Sequence, residues 1–301
     1  MIDLSLLTAP TVIESLDYEA ILTERKQYLI SLYPLAEQES ITATLALESE
    51  PIVKLLQESA YRELLLRNRV NTAAAAVMLA FAAGADLDQI GANYGCARLV
   101  ITAADDTAIP QIEAVYESDD DYRYRIQMSL DSYTTAGSKE SYIYHGLSAD
   151  GDVKDIEPVS PSPGVVTIYV LSRTGDGSAS EELIEKVSAA LNEESIRPMT
   201  DQVTVQSAAI LNYSIDAELV LLPGPDQSVV QAAAVSALTE YTAAQKKLGY
   251  DITLDGIYKA LRQTGVQKVN LTTPQNHISI GSGQAGHCAS MNVTVAVTTD
   301  V

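Results

Sequence analysis

Gly281, Gly283 and Gly286 in GSGQAG spell G-x-G-x-x-G, the spacing by which a dinucleotide-binding turn brings backbone N–H groups against a pyrophosphate. That chemistry requires a strand before the turn and a helix after it, so that the helix N-terminus holds the phosphates. Here HCASMNVTVAV follows, and it reads as a strand. The glycines are therefore expected in a flexible hairpin or loop. His287 and Cys288 are neighbours on that strand and point to opposite faces, so they cannot form a dyad with each other. The chain holds three histidines and two cysteines, Cys96 and Cys288, without metal-ligand spacing. Both cysteines read as ordinary buried or half-buried thiols. His145, beside Tyr144 on a predicted helix, reads as a polar core or surface residue. Asp119, Asp120 and Asp121 are consecutive and suit the first turn of a helix, where its dipole favours acids, better than a divalent cation site. G-x-S-x-G, Walker A and H-E-x-x-H are absent. The expectation is no catalytic residue, no cofactor, no metal and no enzyme, although a pair of carboxylates leaves little trace in a sequence.

Composition points from chemistry towards contacts. The chain has 301 residues, 40 Asp plus Glu against 19 Lys plus Arg, a net charge of −21, and 47% apolar residues. That supports packed cores in about two domains. It argues against nucleic acid and anionic membrane as partners, because binding phosphate-rich surfaces draws on clustered Lys and Arg. Val70 to Gly84 is the nearest approach to a membrane span and is too short and too Ala-rich. The N-terminal stretch MIDLSLLTAPTVIESLDYEA carries acids where a signal peptide carries basic residues, so the chain is expected to stay in a cytoplasm. Tyr makes up 16 of the aromatics, against one Phe and no Trp. Such rings suit interfaces and core edges alike.

The elements that position these residues begin with a helix over 17–32, ended by Pro34. Ser49 and Pro51 start a second helix, expected from Ile52 to about Phe81 with Gly84 as its stop. At about 1.5 Å per residue it would be roughly 45 Å long. Projection at 100° per residue puts Ile52, Val53, Leu55, Leu56, Ala60, Leu64, Leu66 and Val70 on one half of this cylinder. Glu63 and Arg67 fall in the same half, four residues apart in the order that pairs them. Ile52, Val53, Leu56, Ala60, Glu63, Leu64, Arg67 and Val70 are accordingly the candidate partner-helix interface, with the ion pair setting register. The alternative is that the pair lies at a break in the packing and sees water. Helices over 86–94, 118–133 and 137–149 follow.

From Pro158 the grammar changes. PVSPSPG reads as a linker, and strands then alternate with helices. A strand over 165–171 leads to a helix that Ser178 and Glu181 would cap, then to a strand over 202–205. Tyr213, Ile215, Ala217, Leu219 and Leu221 alternate with mostly polar residues as on a half-covered strand. The PGPD turn, helices from 227 and over 254–263, a strand over 266–271 and a last strand through Met291, Val293, Val295 and Val297 complete the chain. The fold class is α+β: a helical N-terminal part with a long protruding helix, then two small mixed α/β modules. The boundaries are 1–104, a helical connector 105–157, a first module 158–208 and a second 209–301. The recurrence of strand, turn, acidic cap and helix suggests an internal duplication.

Several segments together resemble a known family. They are LDYEA at 16–20, SEPIVKLLQESAYRELLLRNRVN at 49–71, GADLDQIGANYG at 84–95, DYRYRI at 121–126, TAGSKESYIYHGLSA at 135–149, SPSPGVVTIYVLSRTGDG at 160–177, RPMTDQV at 197–203 and LPGPD at 222–226. In this order they resemble the baseplate J family, the baseplate assembly proteins of phages with contractile tails. The stretch 33–49 and the glycine loop carry no such likeness. The resemblance implies a structural subunit of a baseplate wedge, with 1–104 as the wedge core. Two copies would pair there with a helix of a second tail protein, while the C-terminal modules join neighbouring wedges into a ring around the tail tube. Tube or hub and sheath-initiating proteins are further implied partners. The implied location is the virion tail baseplate, assembled in the host bacterial cytoplasm. Two other readings are a wedge protein of a phage-tail-like bacteriocin or injection device, and a dinucleotide-binding enzyme using the 281–286 loop.

Overall fold

A computed structural model describes residues 2–134, 137–224 and 226–297. The chain divides into two compact units, Met1–Ala97 and Arg98–Val301.

The first unit is helical. α1 (Tyr18–Ser31) starts where the Asp17 carboxylate accepts the N–H groups of Glu19 and Ala20 at 2.8 and 3.2 Å, satisfying donors that a helix start leaves open. α2 (Gln38–Leu45) forms in the Thr-rich stretch that carries no clear periodicity. Thr42 and Thr44 donate their hydroxyls back to the carbonyls of Gln38 and Ser40, the way threonine is accommodated inside a helix. α3 (Pro51–Ala76) has Pro51 in its first turn. It stops short of the expected Phe81: beyond Ala76 the chain turns more tightly, with Met78 N–H bonded to Ala75 O and Phe81 N–H to Met78 O. The run of alanines hides this end because it carries no polar position to break the pattern. Gly84 does not stop α3; it opens α4 (Gly84–Asn93).

The second unit opens with a short antiparallel pair, β1 (Val100–Thr102) and β2 (Val115–Tyr116), followed by α5 (Asp119–Met128) and a 3-10 turn over Ser129–Tyr133. Ser118 caps α5 through Asp121 N–H. The three acids of its first turn face arginines: Asp119 pairs with Arg98 at 2.7 Å, Asp120 with Arg123 at 2.7 Å and Asp121 with Arg173 at 2.6 Å. Between β2 and α5 lies a buried ion pair. Arg125 Nε and Nη2 each donate to Glu117 at 2.7 Å, and the two side chains are only 4% and 2% exposed. Arg125 also donates to Ser148 Oγ, and Glu117 accepts Leu99 N–H. The Tyr122 ring lies under the guanidinium groups of both Arg98 and Arg125.

α6 (Lys139–Ala149) packs against β3 (Val153–Ser162), which pairs antiparallel with β4 (Val165–Ser172). α7 (Glu181–Leu191) then crosses to β5 (Gln202–Ser207), parallel to β4, giving the sheet order β3-β4-β5. The expected linker at Pro158 is therefore corrected: Pro158 lies inside β3, opposite Ile168. An edge strand tolerates prolines that a central strand would not, and those prolines disguise it. The cap of α7 is Ser180 rather than Ser178. Tyr142, Leu147, Val153, Ile156, Ile168, Val170, Leu183, Val187 and Leu191 share one core, so α6 packs with the β3–β5 sheet.

In the second module β6 (Ala209–Leu221) is central. α8 (Gln227–Gln245) and α9 (Leu254–Leu261) follow, then β7 (Val266–Thr273), antiparallel to β6, and β8 (Gln284–Val297), parallel to it. Its core takes Tyr213, Ile215, Ala217, Leu219 and Leu221 from one face of β6, as their alternation predicts. Both sheets have one plan, a central strand between an antiparallel and a parallel neighbour. The chain order differs: α6 and β3 precede the central strand, whereas α9 and β7 come between α8 and β8.

Arg125→Met leaves the Glu117 carboxylate buried without its main partner and is expected to cost about 3–5 kcal/mol. Replacing both, with Glu117→Leu added, should recover most of that loss. Denaturant unfolding of the full-length chain measures both variants.

Candidate assembly interface

The helical unit is built on the contact between α1 and α3. Ile21 and Leu22 of α1 close on Ala60, with Tyr18, Leu56 and Leu64 packed round them. Val53 and Ala60 are completely buried. Tyr18 also reaches Gln57 O with its hydroxyl. Leu56, Ala60 and Leu64 of the apolar stripe foreseen as a partner-helix surface thus meet α1 of the same chain. Three of its members stand outside this cluster: Val53 is buried, Ile52 is half-buried and Val70 is 60% exposed.

Glu63 and Arg67 pair at 3.3 Å, inside a longer relay of charge. Arg25 of α1 donates from Nε to Glu63 at 2.8 Å, pairs with the same carboxylate through Nη2, and donates from Nη1 to Ser59 Oγ at 2.7 Å. Arg67 in turn pairs with Glu14 at 2.7 Å. Asn71 holds the backbone at Glu14 twice, accepting its N–H and donating to its carbonyl. These charges are about a third exposed, so they lie at the margin of the helix contact with access to water. Hydrogen bonding from Arg25 holds the Glu63 carboxyl below its ordinary range.

Sequence periodicity did not reveal which side of α3 is covered. Leu55, Leu65 and Leu66 are 69%, 49% and 67% exposed, although Leu55 and Leu66 fall within the apolar half-cylinder. The missing signal was α1, where Ile21, Leu22 and Arg25 recur within one helical turn and match the Ala60 and Glu63 side of α3.

The glycine motif lies elsewhere and does other work. Gly281 to Gly283 form a turn, with Gly283 at φ +71°, and the next element is strand β8 rather than a helix. This geometry lacks the helix N-terminus that a pyrophosphate needs, and the dinucleotide reading ends there. Among the described residues no group of three or more His, Cys, Asp or Glu is placed to hold a metal ion. No helix among them is long and apolar enough to cross a membrane. His145 bonds Ser132 O at 3.3 Å, and burial pushes its pKa down. The segments that carry the resemblance hold structural contacts: Tyr142 donates to Asp201 at 2.8 Å, and Arg197 to the Asp201 carbonyl at 2.7 Å.

Two family models match, described as the Baseplate J-like N-terminal domain over residues 48–105 and the Baseplate J-like central domain over residues 134–207. Baseplate protein J of Escherichia phage P2 is 57% identical over 293 residues, 97% of this chain and 97% of that protein. The chain belongs to the baseplate J family. In family terms, the N-terminal match begins just before α3, and the central match ends with β5, so it contains α6 together with the β3–β5 sheet. Among solved structures, the anti-feeding prophage (AFP) baseplate, 6-fold symmetrised, contains a chain that matches 62% of this one at 12% identity and a TM-score of 0.43. The match spans 46% of that chain.

Ala60→Leu forces a larger side chain into the closed α1–α3 contact and should cost about 1–3 kcal/mol. Glu63→Gln should cost less, because exposed ion pairs contribute little. The contribution of Glu63 is present above its unfolded pKa of about 4.3 and is lost as pH falls through its lower folded value. The stabilities of the wild type and of Glu63→Gln should therefore differ near neutral pH and converge as the pH falls through the folded pKa of Glu63, which denaturant unfolding at a series of pH values measures.

Proposed function

We propose that this chain is a structural subunit of the baseplate wedge of a contractile phage tail. The observation that carries the reading is family membership along nearly the whole chain, at 57% identity to a phage baseplate protein. The role is assembly, not catalysis, and the location is the virion tail baseplate, with assembly in the host cytoplasm. In the finer reading, the chain pairs with a second copy and with a helix of another tail protein, and its C-terminal modules link neighbouring wedges into a ring around the tail tube. Tube or hub and sheath-initiating proteins complete the set of neighbours.

The helical unit supports this reading by what α1 leaves uncovered. Ile52 and Leu55 near the start of α3, and Leu66 and Val70 about three turns further on, lie on one side of the helix, with Arg62 between the two pairs and Arg69 beside the second. Removing such apolar surface from water is worth about 25 cal/mol per Å², so a partner helix laid along it gains stability. Leu56, Ala60 and Leu64 then act indirectly, fixing α3 against α1 so that the outer stripe is presented in one geometry. Glu63 and Arg67 border both surfaces.

Light-scattering mass after size exclusion, on the chain alone and co-expressed with the tail proteins encoded beside it, tests the proposal. A stable hetero-complex with two copies of this chain is the expected result; a monomer that ignores all tail partners would overturn it. Leu66→Asp should leave the isolated fold within about 0.5 kcal/mol yet abolish the complex.

A further inference from the structure

The glycine turn has a ligand, and it comes from the neighbouring sheet, β3–β5. Glu157 of β3 accepts Ser282 Oγ–H at 2.9 Å on one oxygen and Gly283 N–H at 2.7 Å on the other. The carbonyl of Gly283 accepts Ala209 N–H at 2.9 Å, so this residue is held by β6 on one side and, across the junction, by Glu157 on the other. The glycine is required twice: its φ of +71° is a region that side-chain-bearing residues avoid, and a Cβ here would come within 2.6 Å of the Tyr169 ring on β4. Gln284 closes the turn by accepting Gly281 N–H.

A second carboxylate on β3 does the same work two residues away. Asp155 accepts Leu248 N–H at 2.9 Å, in the loop after α8, and also accepts the N–H of Ile156. Asp155 is half-buried, and burial raises its pKa. Between these contacts Leu171, Ala208, Leu248 and Ala285 form a small apolar core with Tyr169 and Ile210. Covalently the modules meet at one residue, since β5 ends at Ser207 and β6 begins at Ala209.

We propose that the 281–284 turn is a carboxylate-binding site whose ligand is Glu157 of the same chain, and that this clasp stops the two modules turning about Ala208. The donors are a backbone N–H and a hydroxyl, arranged as in anion-binding turns, and charge-assisted bonds of this kind are the stronger class. The clasp makes the two sheets one body. It stands independently of the baseplate reading.

Amide hydrogen exchange on the full-length chain tests it, comparing wild type with Glu157→Ala. Loss of the clasp should speed exchange about tenfold or more at residues 281–285 and 246–250, while β4 and β6 keep their protection. Unchanged exchange in the turn, or an equal rise throughout both modules, would overturn the proposal. If Glu157→Ala does not fold, Glu157→Gln keeps the shape without the charge. It should show the same local pattern at smaller size, and unchanged protection in that variant would likewise refute the clasp.

Discussion

The buried pair of Arg125 and Glu117 is the contact on which the second unit is ordered. Each of its ends is tied to a different element. Glu117 holds the chain just before β1 through Leu99 N–H, and Arg125 reaches from α5 to Ser148 on α6. A buried ion pair is a weak source of net stability, because desolvation consumes most of its attraction. Its value lies in the penalty for any arrangement that separates the two charges. With α5 and α6 fixed in this way, α6 is delivered to the back of β3 and the first module has its core.

From that module outwards the same economy of polar contacts repeats. Acids at the start of α5 take arginines, and acids on β3 take backbone donors of the second module. A chain with 40 acids and 19 bases cannot neutralise its carboxylates with cations alone. Those at junctions instead face N–H groups and hydroxyls, which order them at lower cost in charge. The helical unit uses the opposite arrangement, with a continuous relay from Arg25 through Glu63 and Arg67 to Glu14 at the rim of an apolar contact.

Much of the fold was legible in the sequence wherever periodicity met a clean stop. The alternation in β6 and the 3.6 period of α3 both located their elements. What periodicity could not supply was the identity of the covering surface: the stripe on α3 is wide enough that Leu66 and Leu64 look equivalent until α1 is placed. β3 was missed because Pro158 and Pro161 read as a linker, and only its edge position makes them tolerable. α2 was missed because its threonines bond their own backbone, a local effect without a hydrophobic signature. The glycine motif spells a dinucleotide turn as a string, but its context does not, since the strand expected after it is β8. Its actual partner, Glu157, lies over a hundred residues away in the chain, and such a pairing leaves no local trace.

The single-residue junction at Ala208 has a mechanical consequence. β5 runs parallel to β4, and β6 runs parallel to β8, so β5 and β6 form a nearly unbroken length of extended chain anchored sideways in both sheets. Tension along that line meets the ladder hydrogen bonds in shear, where many must yield together, rather than in peel, where they yield one after another. A pull between the two modules is therefore borne by the strongest direction that such small sheets possess.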